Sequence, residues 1–421
     1  MHTPIRNWAE NQEFSFASEI TAATADGVAA AMAGPGPVKA LGSRHSFNTI
    51  ADSSGTVITL DASGPAIHLD RVRQTVTVSG GARYGDVGAA VQAEGFALTN
   101  LASLPHISVA GACATGTHGS GNASPILTSS VAVIELVTAS GQLRQFSRTD
   151  DPDVFPGLVV HLGALGVVTS LTLDVVPAFE VRQHVYERLS FDAAREHFDE
   201  IMSSAYSVSL FTDWQRPEFT TAWRKVRVGD VDLYDPAAPF FGAPPATEHL
   251  HPLPGLDPQP CTPQLGDPGP AYERLPHFRM AFTPSSGDEL QSEYLLPREH
   301  AVEAIDALWS LHHRISALVL VGEVRTVAAD SFWMSPCHGR DSVALHFTWR
   351  PDWPRVRALL PDIEHALAPF DPRPHWGKLF TMDATDVRRC YPQLPRFVEL
   401  AGRLDPAGRF RNAFLGEFVF G

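Results

Sequence analysis

Apolar residues keep helical spacing in only a few stretches of this chain; elsewhere they alternate in short runs. Ala22–Ala33 holds a helical pattern and ends at Gly34-Pro35-Gly36-Pro37, which cannot continue it. Short runs at Val38–Leu41, Val57–Leu60, Ala66–Leu69 and Thr75–Val78 predict strands, and Tyr84–Ala93 predicts a second helix. Val131, Val133, Glu135 and Val137 alternate with Ala132, Ile134 and Leu136 in a strand from Val131 to Thr138. A Ser140-Gly141 turn and a return strand Gln142–Phe146 complete a hairpin. Leu165–Val176 predicts a further strand region.

Beyond about residue 180 the texture changes. Between Pro236 and Pro270 lie eleven of the 34 prolines, which predicts a long ordered loop or tether without regular ladders. Pro297 opens a helix with Val302, Ile305, Leu308 and Trp309 on one face. Ala317–Val324 and Val343–Thr348 predict strands, and a helical segment from Arg355 is expected to break at Pro361. Turn signals such as Asp405-Pro406-Ala407-Gly408 mark the last fifty residues.

Composition narrows the class. The chain has 421 residues, enough for two or three domains, and a net charge of 32 − 47 = −15. An acidic average argues against nucleic acid or an anionic membrane as partner. The start MHTPIRNWAENQEF lacks the apolar core of a signal peptide. The most apolar stretch, Leu158 to Phe179, is broken by His161, Gly163, Gly166, Asp174 and Pro177, so no membrane span and a cytoplasmic location are expected. Cys113, Cys261, Cys337 and Cys390 lie far apart, which excludes a cysteine zinc cage and suggests no disulfide framework. His249, His251, His312 and His313 form no H-E-x-x-H motif, so they read as surface or core residues and no metal is expected.

Several catalytic signatures are absent. Gly111 to Thr117 spaces its glycines like a P-loop but offers threonine where lysine must reach a phosphate. There is no Gly-x-Gly-x-x-Gly between strand and helix, and no Gly-x-Ser-x-Gly elbow. Two segments carry more. Leu41-Gly42-Ser43-Arg44-His45-Ser46-Phe47-Asn48 gathers bare amides and short hydroxyls at a strand end, a nest suited to pyrophosphate oxygens. Taken alone, that is more often an ordinary strand-end turn. Asn100 to Gly111, continuing as Ala114 to Gly121, is small-residue sequence with apolar interleaving. It suits a wall against a flat cofactor, while a flexible loop would share the composition.

Gly42-Ser43-x-His45-Ser46, together with Ala114-Thr115-Gly116-Thr117-His118-Gly119-Ser120-Gly121, resembles the vanillyl-alcohol-oxidase-type family of FAD enzymes. Later blocks resemble its alditol oxidases: Arg279 to Glu299, Glu323 to Asp330, His346-Phe347-Thr348-Trp349 and Pro374-His375-Trp376-Gly377-Lys378. Sugar-lactone oxidases share a similar PHW-x-K block. The resemblance covers nearly the whole chain and implies an α+β, two-domain FAD-binding fold. Residues 1–178 would bind FAD, 179–370 would form an antiparallel-sheet substrate domain, and 371–421 would return to the first domain and contribute to the active site. His45 matches the histidine that carries FAD covalently in such oxidases, although Arg44 stands where alditol members often have glycine. Leu41, Gly42, Ser43, Arg44, Ser46, Ser103, Ser108, Gly111, Thr115, Gly116, Thr117, His118 and Val168 are the other expected cofactor contacts.

On two strands Glu323 and Arg325, like His346 and Thr348, share a face by their spacing of two. Periodicity alone favours a solvated ion pair for Glu323 and Arg325. The resemblance makes them part of a polyol pocket with Lys378. It implies Arg325 and Lys378 polarising the reacting hydroxyl, Lys378 or His346 accepting its proton, and Glu323, Thr348 and Ser103 holding the chain. Ala102 would line the route of oxygen. The implied reaction is oxidation of a terminal hydroxyl of xylitol or sorbitol by hydride transfer to flavin N5, with O2 reduced to H2O2, in a monomer. A sugar-lactone oxidase or dehydrogenase, a non-catalytic carbohydrate-binding protein and a histidine metalloenzyme are the competing expectations.

Overall fold

The computed structural model describes residues 5–61, 67–282 and 289–421. Ala66, where one expected strand begins, lies outside the described residues, as do 283–288 of the block Arg279 to Glu299 and the first four residues. The chain is α+β, as expected.

In the first part, Ser18–Ala22, Thr56–Leu60 and Val38–Ala40 form a parallel sheet with Thr56–Leu60 in the middle. The first helix is therefore shorter than its apolar pattern suggested. It spans Ala25–Ala31, capped by Thr24, whose Oγ1 accepts from the Gly27 amide at 3.1 Å, because Ala22 is taken into the sheet. A five-stranded antiparallel sheet follows, ordered His68–Asp70, Thr75–Ser79, Val167–Asp174, Val131–Val137, Leu143–Ser147. Its hairpin pairs Val133 with Ser147 and Val137 with Leu143, as the alternation requires.

The second part is an eight-stranded sheet in which every pairing is antiparallel. Its centre runs Ser207–Thr212, Val319–Val327, Ser342–Trp349, Leu290–Pro297. Leu210, Val324, Leu345 and Phe347 share a core with residues of the helices Phe191–Ser203, Ala301–Trp309 and Trp353–Leu367. Alternation then turns Glu323, Arg325, His346 and Thr348 to the opposite face, where they line a cavity and are still buried.

Two expectations need correction here. The helix expected to break at Pro361 begins earlier, at Trp353, and continues through Pro361 to Leu367. Buried Val356, Leu359, Leu360, Ile363 and Leu367 anchor both halves, and that burial outweighs the one amide bond proline cannot make. The proline-rich segment is ordered but not wholly without ladders. Gly269–Pro270 pairs with Glu180 and Val181 at a sheet edge, where proline is tolerated. The helix Leu394–Leu404, buried through Leu394, Phe397, Leu400 and Ala401, was hidden among turn signals.

The C-terminal segment packs back on the N-terminal sheets. Asn412 Nδ2 lies 3.0, 3.1 and 2.9 Å from the carbonyls of Thr49, Ile50 and Asp52, and its Oδ1 caps the amide of Leu415 at 2.9 Å. Asn412→Ala leaves these groups without partners, so it should cost about 2–3 kcal/mol in denaturant unfolding. An unchanged midpoint would show that this tie does not hold the terminus.

Candidate active site

A cavity of about 690 Å³ separates the small-residue segments from the polar face of the large sheet. On one wall, the chain leaves Val38–Ala40 into Leu41 to Ser46, against Ser108 at the start of the short helix Val109–Ala114. Ser43 and Ser108 bond reciprocally, Ser108 N to Ser43 Oγ at 2.9 Å and Ser43 N to Ser108 Oγ at 3.3 Å. A Cβ on Gly42 would collide with Ser108 Oγ, and one on Gly111 would come within 2.7 Å of it. The backbone must stay bare there.

Arg44 sits at φ +62°, a left-handed conformation that strains a side-chain-bearing residue, and its carbonyl accepts the Trp8 amide at 2.8 Å. The Trp8 indole stacks on His45 at 5.1 Å between ring centroids. Both His45 ring nitrogens are buried without a hydrogen-bond partner. Burial, then the charge of Lys378, pushes the His45 imidazole down to about 4, so it is neutral.

The opposite wall is a buried polar layer. Glu293 and Glu323 are both cross-strand partners of His346, one on each side. Arg325 Nη2 lies 2.5 Å from Glu293 Oε1 and its Nε 3.6 Å from Glu323 Oε1; its Nη1 donates to Ser103 Oγ at 3.4 Å. Burial opposes both carboxylate charges, but Arg325 together with His118 and His346 at Glu293, and with His277 and His346 at Glu323, holds each pKa below the usual range. His346 Nδ1 lies 3.6 Å from Glu293 Oε1, and its Nε2 3.3 Å from Thr348 Oγ1. Burial lowers the pKa of His346.

Lys378 closes the third side. The Phe47 amide donates to Gly377 O at 2.8 Å, and Asn48 Nδ2 to the carbonyls of Trp376 and Lys378 at 2.9 and 2.8 Å. Lys378 Nζ donates to Gln291 Oε1 and lies 4.7 Å from the Phe47 ring centroid. Burial brings its ammonium down to about 8, with Glu293 acting in the opposite sense.

Thus Ser103, Glu323, Arg325, His346, Thr348 and Lys378 line one cavity with Leu41 to Ser46, Ser108, Gly111, Thr115, Thr117, His118 and Val168. Gly116 does not line it. It sits at φ +70° in the turn after the helix, where a Cβ would come within 3.1 Å of Pro336 Cδ. The Glu323–Arg325 pair is not on a solvated face, because the sheet is covered on both sides. His118 belongs to the polar layer as much as to the wall, with Nε2 3.3 Å from Glu293 Oε1. His251, read as a surface or core residue, lines the cavity. Sequence reasoning passed over Gln291, Glu293 and His277, though Gln291 and Glu293 repeat the spacing of Glu323 and Arg325. Among the described residues no group of three His, Cys, Asp or Glu could hold a metal ion, and no helix is long and apolar enough to cross a membrane.

Residues 19–147 match the family described as FAD binding domain, and residues 287–418 match D-arabinono-1,4-lactone oxidase. Over 99% of this chain the fold matches crystalline cholesterol oxidase from B. sterolicum, with a TM-score of 0.76, 15% identity and 96% of that chain covered. The fold and the cavity together define an FAD-binding oxidoreductase of the vanillyl-alcohol-oxidase type. Alditol oxidase of Streptomyces sp. is 48% identical over 424 residues, covering 100% of both chains. L-gulono-1,4-lactone dehydrogenase of Mycobacterium tuberculosis is 29% identical over 398 residues, 90% of this chain and 89% of that one. The chain belongs to the alditol oxidase family. Its residues fit FAD: bare glycines open the cradle at Ser43 and Ser108, and His45 offers two buried, unpartnered nitrogens.

Proposed function

We propose that this enzyme oxidises the terminal hydroxyl of a sugar alcohol such as xylitol or sorbitol to the aldose, and that O2 becomes H2O2. One observation carries this: Glu323, Arg325, His346, Thr348 and Lys378 meet on one side of a cavity whose other side fits FAD. FAD, when bound, supplies the acceptor for the electrons of the carbinol C–H and passes them to oxygen. Leu41 to Ser46, Ser103, Ser108, Gly111, Thr115, Thr117, His118 and Val168 would hold it, with His45 as the covalent attachment and Gly116 shaping the turn between two of them. Ala102 lines the same cavity and is the proposed route of oxygen.

The chain's own groups divide the remaining work. Arg325, kept charged by its two carboxylates, and the Lys378 ammonium polarise the reacting hydroxyl. Neutral His346 accepts the proton. Glu323 accepts from further hydroxyls, and Thr348 and Ser103 complete the grip. Residues 1–178 and 371–421 form the cofactor domain and 179–370 the substrate domain in this proposal. Phe410 in the core with Val38, Ile58 and Val167 supports the return of the C-terminal segment. A monomer is part of the proposal, and four free, buried cysteines fit a reducing cytoplasm.

The match of residues 287–418 to a lactone oxidase favours a second reading, in which a sugar lactone is the substrate. Peroxide release with xylitol but not with gulonolactone is expected; the reverse preference would replace the first reading by the second. Slow reoxidation by air-saturated buffer would make the enzyme a dehydrogenase.

His45→Ala should remove a mass excess equal to FAD from the intact protein; an unchanged excess would place the attachment elsewhere. The pKa of Lys378 gives a pH test. Its ammonium is present below about 8 and lost above, so kcat/KM should decline as pH rises through that value. On the acid side it should fall as His346 protonates, below the ordinary imidazole range. Lys378→Arg keeps the charge at all working pH and should abolish the alkaline decline. If the decline persists, another group causes it.

A further inference from the structure

Beyond Glu323 the buried polar layer continues into His277 and Lys225, which have no role in the chemistry above. Both are nearly inaccessible, at 5% and 1% exposure. Lys225 Nζ has three acceptors: Leu275 O at 2.5 Å, Pro276 O at 3.1 Å and His277 Nδ1 at 3.1 Å. An ammonium carries three N–H donors and no lone pair, so these acceptors use it completely. Burial brings the Lys225 ammonium down to about 7; facing its charged form His277 Nδ1 accepts, and across the ring the ionised Glu323 calls for a donor on Nε2. The proton of the neutral imidazole is then on Nε2, which donates to Glu323 Oε1 at 2.8 Å.

The ring has little freedom to turn. Phe211 and Trp223 meet it edge to face at 5.4 and 5.2 Å between centroids. Its main chain is pinned as well, because the His277 amide donates to Ser103 O at 3.0 Å. One residue just beyond the proline-rich segment thus contacts both Ser103 and Glu323, two of the groups assigned to the proposed polyol. The contacts of Glu323 with His277 and with Arg325 both fall on Oε1, and Oε2 is the oxygen assigned to a ligand in this proposal.

We infer that His277, held in one tautomer by Lys225, is a positioning residue that keeps Glu323 oriented as an acceptor for a substrate hydroxyl. This rests on the proposed role of Glu323 in binding the polyol. The charged and titratable groups facing His277 are Lys225, Glu323 and Arg325. Cys261 faces Lys225, with its thiol pushed up to about 12 by burial and so neutral. Burial, then Lys225, pushes His277 down to about 4. Removing Lys225 leaves an imidazole still beside a carboxylate, so its proton affinity rises. An imidazolium there would compete with the substrate for Glu323.

The test uses the flavin-loaded enzyme with xylitol and four variants, each checked for flavin absorbance and melting temperature. His277→Phe should raise KM about ten- to a hundredfold with a much smaller change in kcat, since a hydrogen bond to a charged group is lost. His277→Gln, whose amide can still donate to Glu323, should recover most of that loss. Lys225→Met should give a KM that begins to rise at a higher pH than in the parent as the solution is acidified, because His277 then protonates more readily. Glu323→Gln separates the two layers of inference. If it leaves KM unchanged, the role of Glu323 in binding is wrong. If it raises KM while a folded His277→Phe stays within about twofold of the parent, the positioning role is wrong and that of Glu323 stands. Should His277→Phe lose its flavin or melt early, a Lys225→Met enzyme with the parent's pH profile would overturn the inference.

Discussion

Arg325 sits between two carboxylates that the fold has withdrawn from water, and the second half of the molecule is organised around it. Glu293 and Glu323 lie on strands separated by the strand of His346, so the three charged groups span the centre of the eight-stranded sheet. An unpaired buried carboxylate would cost several kcal/mol, and without the guanidinium there would be two. The arrangement also fixes register. A slip of one residue in either charged strand would turn its charge into the face that packs Val324, Leu345 and Phe347 against helices. A sheet buried on both sides, polar on one and apolar on the other, is the consequence.

The opposite wall is built on a different principle, absence of bulk. Gly42 and Gly111 keep the backbone bare at Ser108, and the serines bond to each other rather than filling the space. Neither wall alone makes a site. They are joined by hydrogen bonds between residues about 330 positions apart, where the Asn48 side chain holds the carbonyls of Trp376 and Lys378. That segment is anchored in turn by Trp376, fully buried, whose indole donates to Met334 O at 2.8 Å and stacks on Tyr391. Lys378 therefore enters the cavity on a rigid support, beside the ring of Phe47, which adjoins the histidine segment.

Much of this was legible in the chain, for identifiable reasons. Short strands bounded by glycine or proline were visible because alternation is a local property. Alternation also put Glu323 with Arg325 and His346 with Thr348. It could not say whether their face was wet or covered, because that depends on what packs above the sheet. Glu293 shows the limit: Gln291-Ser292-Glu293 has the same period, yet only the pairing of its strand with Ser342–Trp349 brings Glu293 beside Arg325. The helix through Pro361 was misread for a related reason. Proline is a local penalty, whereas the burial of Leu359, Leu360 and Ile363 that overrides it comes from tertiary contacts. His277 was out of reach altogether. It lies in irregular proline-rich sequence, and its partners Lys225 and Glu323 are 52 and 46 positions away.

The inventory of donors and acceptors bears on which substrate class the layer would prefer. Arg325 Nη2 is engaged with Glu293 and Lys378 Nζ with Gln291, while Arg325 Nε has no hydrogen-bond partner and stays available with the remaining Lys378 donors. The carboxylate of Glu323 and the hydroxyls of Thr348 and Ser103 remain able to accept. A wall rich in acceptors suits a ligand rich in O–H donors, and an open-chain polyol presents one on every carbon. A lactone gives up one hydroxyl to its ring ester and offers a carbonyl that can only accept. Placed beside ionised Glu323 rather than beside Arg325 or Lys378, that carbonyl would lose its water without a replacement donor, a mismatch at this one position. In the proposed reading, the electrostatics that holds the sheet in register thus sets a hydroxyl, rather than a carbonyl, beside Glu323.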